Sequence, residues 1–224
     1  MSNFQTQKSK LFLVLSLHRS GSSAVAGTLH FLGVDMGSDL LKASSTNPKG
    51  YFENIRFVNL NDIILQVFNA TWKTPPSREI MSSKKNEISI NSNLLNKDIK
   101  PIWGLKDPRL ILTLDIWKSY LETIADITYV FVSRPIEECA ASLVDRDDMN
   151  LDTATKILKV YLMNLKYYRE HLEKENKDIV DIHFQEILEK PEIFVREINL
   201  RINQPHDHNL NIVKEFLDKK LKHF

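Results

Sequence analysis

Cysteine is nearly absent from this chain, with Cys139 the only one in 224 residues. That excludes an internal disulfide framework and any cysteine-built zinc cluster, and it leaves Cys139 as a buried apolar residue on a helix. An excess of charge of one sign is also lacking. Lys and Arg number 30 against 29 Asp and Glu, a formal net charge of +1. No general basic field therefore points to nucleic acid or to an anionic membrane, and any anion site has to be built locally. Long apolar runs are missing too. The run 11-LFLVLSL-17 is far shorter than the roughly 20 residues of a membrane span, and no small-residue cleavage site follows it. The expectations are a cytoplasmic chain with no nucleic-acid partner and no stable membrane insertion. There is no internal repeat or low-complexity tract, and the histidines show no metal-ligand spacing.

What is present is an alternation of short apolar runs and helical patterns. The runs 11-LFLVLSL-17, 102-IWGL-105, 127-ITYVFV-132 and 179-IVDIHF-184 read as buried strands. Between and after them, apolar residues at helical spacing predict helices over Ser22–Leu32, Ile55–Asn69, Leu110–Leu121, Ile136–Val144 and Thr153–Glu173, with two more from Pro191 and Leu210. Residues 73–100 are polar: a functional loop or a disordered one, with room for one short helix. The pattern predicts one domain over residues 1–224. Its fold class is α/β, a P-loop-like three-layer arrangement with a central, mainly parallel sheet flanked by helices.

Ligands of such sheets bind beyond the carboxyl ends of the strands. Three polar clusters fall there: 18-HRSGSS-23, 106-KDPR-109 and 133-SR-134. In the first, Gly21 permits a tight turn and a close backbone approach. The N–H groups of the following helix favour an anion, Ser20, Ser22 and Ser23 add donors, and Arg19 adds a planar cationic fork. The Gly-Lys-[Ser/Thr] ending of an ATP-type P-loop is missing. Arg134 and Ser142, eight residues apart and about two helical turns, could hold a second phosphate. Read alone they are better taken as a sheet-edge cap and a packed serine.

Taken together, Arg19-Ser20-Gly21-Ser22-Ser23, Lys106-Asp107-Pro108 and the Arg134…Ser142 pair resemble the sulfotransferases, which use 3′-phosphoadenosine-5′-phosphosulfate (PAPS) and release PAP. The segments 18-HRSG-21, 47-NPKGYFE-53 and 106-KDPR-109 look similar to bacterial sulfotransferase-like proteins, nearer the carbohydrate and tyrosyl-protein types than the cytosolic phenol type. The resemblance implies that Arg19, Ser20, Gly21, Ser22 and Ser23 hold the 5′-phosphosulfate. It further implies that Arg134 and Ser142 hold the 3′-phosphate and that Phe184, in 183-HFQEILEKP-191, lies near the adenosine. The Gly-rich C-terminal loop of the cytosolic enzymes is absent, since no glycine follows Gly104.

The expected chemistry moves a sulfuryl group to an acceptor hydroxyl, on a small molecule or a glycan, without a metal. Arg19 and Lys106 supply charge at the leaving oxygen. Glu53 is the first choice of base, with Asp35 and His18 behind it. A helix start lowers a carboxyl pKa and burial raises it, so the two oppose each other at Glu53. Tyr51, Phe52, Trp72 and the loop 73–100 are candidates for the acceptor wall. A kinase-like ATP phosphotransferase and a noncatalytic nucleotide-binding module of the same fold are the alternatives.

Overall fold

The computed structural model describes residues 8–85, 88, 95 and 97–217. Four strands are named in it: β1 (Ser9–Ser16), β2 (Ile102–Lys106), β3 (Ala125–Ser133) and β4 (Asp178–His183). They form one sheet in the order β2-β1-β3-β4. Every pairing is parallel, with Val14 opposite Lys106, Ser16 opposite Val132, and Ser133 opposite His183. The reason lies in the side-chain period of two. Leu11, Leu13 and Leu15 point to one face with Trp103, Leu105, Tyr129 and Phe131. Phe12 and Val14 point to the other with Val130, Val132, Val180 and Ile182. Both faces are apolar, so both need a layer of helices.

The layers follow from this. The first face is covered by α2 (Ile55–Val67), α4 (Leu110–Ile124), α5 (Ile136–Asp147) and α6 (Leu151–Lys174). The second is covered by α1 (Ser22–Phe31), α7 (Phe184–Glu189), α8 (Pro191–Arg201) and α9 (Leu210–Phe216). The expected three-layer α/β fold is what the chain adopts. No helix among the described residues is long and apolar enough to cross a membrane.

Local differences from the sequence reading have simple causes. The helix expected to end at Leu121 runs to Ile124 and passes into β3 at Ala125 with no loop between. The strand expected through Phe184 stops one residue early, because the His183 ring accepts a hydrogen bond from the Gln185 N–H and starts α7. Within 73–100, the short helix is α3 (Arg78–Lys84), capped by Ser77. Met81 and Leu95 from this stretch are buried, and Asp98 pairs with Arg56 and accepts from Asn54. Its described parts therefore pack on the body of the protein, while residues 86, 87, 89–94 and 96 lie outside the described residues.

One topological fact places the site. From β1 the chain moves to β2 on one side of the sheet, and from β3 it moves to β4 on the other. The carboxyl ends of β1 and β3 are adjacent, so a crevice opens between the loops that follow them.

Candidate active site

The loop after β1 is bent by two residues in the left-handed region, Arg19 at φ 62 and Gly21 at φ 86. Arg19 has a Cβ, so that conformation costs about 1 kcal/mol or more and has to be held by its surroundings. Three contacts hold it. The Arg134 Nη1 donates to the Arg19 carbonyl at 3.1 Å, the Arg19 Nε donates to Ser142 Oγ at 2.8 Å, and both Arg19 Nη atoms donate to the Thr46 carbonyl at 3.2 and 3.3 Å. At Gly21 a side chain is excluded twice, by φ and because a Cβ would lie 2.0 Å from the Phe184 ring. Phe184 is thus pressed against the loop, with the Arg134 guanidinium 4.9 Å from its ring centre.

The serines divide their roles. The Ser20 hydroxyl, expected among the ligand donors, is fully buried and donates to the Leu17 carbonyl at 2.9 Å, so it shapes the turn instead. Ser22 and Ser23 both line the crevice. α1 has no side-chain cap, and while the Ala24 N–H donates to the Gly21 carbonyl, those of Ser22 and Ser23 are left for another acceptor.

Opposite the loop lies a knot of buried charge. Lys106, at the end of β2, places Nζ 2.5 Å from Glu53 Oε1, 3.3 Å from Ser23 Oγ and 3.2 Å from the Tyr51 carbonyl. Next to them Arg109 Nη1 donates to Asp107 Oδ1 at 2.7 Å, and Arg109 Nε forms an ion pair with Asp62 at 2.8 Å. Asn61 completes the knot: its amide donates to Asp107 Oδ2, and its carbonyl accepts from Thr113 and Trp117, each at 2.8 Å. Glu53 does not sit on the helix it precedes. The cap of α2 is Asn54, whose side chain accepts from the N–H groups of Arg56 and Phe57. Burial therefore outweighs any helix field and pushes the Glu53 carboxyl up, against the pull of Lys106.

The same crevice gathers Arg19, Lys49, Lys106, Arg134 and Arg146 along its wall, with Glu53 the one carboxylate among the lining residues. Lys49 lies within 47-NPKGYFE-53 but has no role in the sequence reading, and Ala24, Thr46, Arg146 and Phe216 are lining residues outside the quoted motifs. Arg146 is four residues past Ser142 on α5, a spacing that could have shown it. Phe216 arrives from α9 and has no local signal. Its ring fills a notch at Gly27, where a Cβ would lie 2.2 Å from it, and its carbonyl accepts a hydrogen bond from Lys49 Nζ.

Other expected residues have other partners. His18 borders the crevice but is buried, bonds to the Tyr161 hydroxyl at 3.3 Å and packs on Trp72, 4.7 Å between ring centres. Burial, then the charges of Arg146 and Arg109, hold its imidazole well below the ordinary value, so it is neutral. Asp35 accepts from the Gly37 N–H and bridges to Trp103, outside the crevice. Of the three aromatics proposed for the acceptor wall, Tyr51 lines the crevice, Phe52 turns onto His30 and Phe216, and Trp72 stands behind His18. None of the lining residues comes from 73–100.

Two solved structures share this architecture. One is the sulfotransferase domain from the curacin biosynthetic pathway. It has a TM-score of 0.51 at 15% identity, over 92% of this chain and 77% of that one. The chain has the fold of a sulfotransferase domain. A second such domain, from the Synechococcus PCC 7002 olefin synthase, has a TM-score of 0.56 at 13% identity, over 94% of this chain and 79% of that one. No protein-family model matches the sequence, and no curated protein matches it. On this sulfotransferase fold, the loop 18–23, Lys106, Arg134 and Ser142 meet at one strand-end crevice.

Proposed function

We propose that the chain is a sulfotransferase that moves a sulfuryl group from PAPS to an acceptor hydroxyl, on a carbohydrate or glycolipid. The observation that carries this reading is the convergence on one crevice of five cationic side chains with the Lys106–Glu53 pair. The donor set fits the nucleotide. Its two phosphate groups lie at opposite ends of a ribose, and the crevice offers cations on both walls, Lys106 beside Ser23 on one and Arg19, Arg134 and Ser142, joined by hydrogen bonds, on the other.

PAPS, when bound, supplies the sulfuryl group and the good leaving group. The chain's residues do the rest. Arg19, the opening turn of α1 and the hydroxyls of Ser22 and Ser23 hold the 5′ end. Arg134 and Ser142 hold the 3′-phosphate, and Phe184 offers an apolar face beside them. Lys106 places positive charge where the leaving oxygen gains negative charge, the effect expected to contribute most. Glu53 accepts the acceptor's proton at Oε2, the oxygen not bonded to Lys106. Taking up that proton neutralises Glu53 and frees the Lys106 charge for the leaving oxygen, so the two halves of the reaction help each other.

The experiment is thermal unfolding with PAP. PAP at 100-fold over its dissociation constant stabilises by about 2.7 kcal/mol, so a clear rise in Tm is expected, and Arg19→Ala should abolish it. No rise at millimolar PAP, or a larger rise with ATP and magnesium, overturns the reading.

A further inference from the structure

The two oxygens of Glu53 meet two cations in different ways. Oε1 accepts a hydrogen bond from Lys106 Nζ at 2.5 Å. Oε2 faces Arg109, whose Nη1 stops at 4.0 Å. That is too far for a hydrogen bond and close enough for the charge to be felt. Oε2 therefore keeps its lone pairs for an incoming proton while a positive charge stands beside it.

A pair of carboxylates keeps the guanidinium at that distance. Asp107 Oδ1 accepts from Arg109 Nη1 at 2.7 Å and from the Arg109 backbone N–H at 3.0 Å. On the other side, Asp62 Oδ1 lies 2.8 Å from Nε. Asp107 is fully buried and fixed in turn by Asn61, whereas the Asp62 side chain is 39% exposed on α2. Without these holds the fork could close on Oε2, and a guanidinium at hydrogen-bond distance would occupy that oxygen.

The other titratable groups around Glu53 have different contacts. His18, from the loop after β1, and Tyr161, from α6, are buried and neutral. Lys49, in the segment before Glu53, donates to the Phe216 carbonyl, and Arg19, Arg134 and Arg146 stand across the crevice.

We propose that Arg109 is a positioning residue for the base and that Asp62 is the tether that holds it off Oε2. The carboxyl is thereby kept ionised and unblocked until the acceptor hydroxyl arrives. This rests on the sulfotransferase reading, and it adds two residues that set how the base works.

The two residues must then act in opposite directions. Arg109→Gln leaves Glu53 with one cation fewer and Asp107 uncovered, so the ionised form is harder to keep and the titration midpoint rises. Asp62→Asn removes a negative charge and lets the guanidinium close on Oε2, so the midpoint falls. A merely structural role would loosen the pocket in both variants and give no such opposition.

Carbon NMR of the full chain with isotope-labelled glutamate carboxyls follows the Glu53 midpoint, with and without saturating PAP. Its signal is the one lost in Glu53→Gln. Arg109→Gln should raise the midpoint by about one pH unit or more, Arg109→Lys should return most of that rise, and Asp62→Asn should lower it. The acid limb of turnover should move with each midpoint. Shifts of one sign in Arg109→Gln and Asp62→Asn, or no shift, overturn the inference, as does an Arg109→Lys midpoint as high as that of Arg109→Gln. Should Arg109→Gln not fold, the sign of the Asp62→Asn shift decides. Opposed shifts in a chain that does not bind PAP sink the parent reading and leave the tether standing.

Discussion

The two walls of the crevice hold their charges differently. On the wall built by the loop after β1 and by α5, Arg19 donates to neutral acceptors, Ser142 and the Thr46 carbonyl, while Arg134 and Arg146 each meet one carboxylate of α5 through Nε, Glu138 and Asp147. On the wall built by β2 and α2, Lys106 and Arg109 meet three carboxylates, Glu53, Asp107 and Asp62. At Arg19 the first wall can take an anion without first breaking an ion pair. The second is already neutralised, so its charges are available only as protons move. One wall is suited to binding and the other to chemistry, although both are described equally well as clusters of charged residues at strand ends.

The largest effects should come from breaking the second wall. Glu53→Gln keeps the shape and the Lys106 contact but removes the proposed base. Turnover should fall by about 10²–10⁴-fold while PAP affinity is kept. Lys106→Ala should cost about 10²–10³-fold in kcat. Burial raises the Glu53 carboxyl, and the base works ionised, so activity should fall with falling pH through a range above that of an ordinary carboxylate. That limb should vanish from the residual activity of Glu53→Gln. An equal loss of PAP affinity in both variants would mean that the walls are not divided as described.

A smaller effect tests what holds the second wall in place. Asn61 is fully buried and bonds Asp107, Thr113 and Trp117 at once. Asn61→Ala leaves those groups without their partner, and a loss of about 2–4 kcal/mol is expected in urea unfolding, since each stranded buried group costs roughly 1–3 kcal/mol. Loss of less than 1 kcal/mol would mean that the knot is held mainly by its ion pairs.

The first wall was the more legible in the sequence, for a physical reason. The loop follows an apolar run directly, and Arg134 and Ser142 are separated by a helical spacing within one segment. Those relations are local, and so is the alternation that shows which faces of β1 and β3 are buried. The second wall depends on Glu53 meeting Lys106 across 53 residues and on Asn61 reaching Asp107 across 46. Only the folded sheet brings them together. The same holds for Phe216, whose place is set by the missing side chain at Gly27. Burial also decided what sequence could only weigh: Asn54 takes the cap, and Glu53 is left outside the helix among apolar and charged neighbours. His18 sits in the motif itself, yet its partners Tyr161 and Trp72 lie in segments that no motif includes.

That histidine gives the mildest way to probe the boundary between the walls. Burial and the surrounding cations keep its folded-state pKa well below the roughly 6.5 of an unfolded chain. The unfolded state then binds the proton that the folded state refuses, so stability is complete above about pH 6.5 and is lost as pH falls below it. The slope from this one group is at most about 1.4 kcal/mol per pH unit. Unfolding followed from pH 7.5 to 5.5 should show it, and His18→Gln, which has no such proton to refuse, should flatten it. Since His18 packs on Trp72 and bonds to Tyr161 rather than to Glu53, its replacement should leave the acid limb of the activity profile where it was. A limb that moves with His18→Gln would place the imidazole in the proton path and join the two walls into one machine.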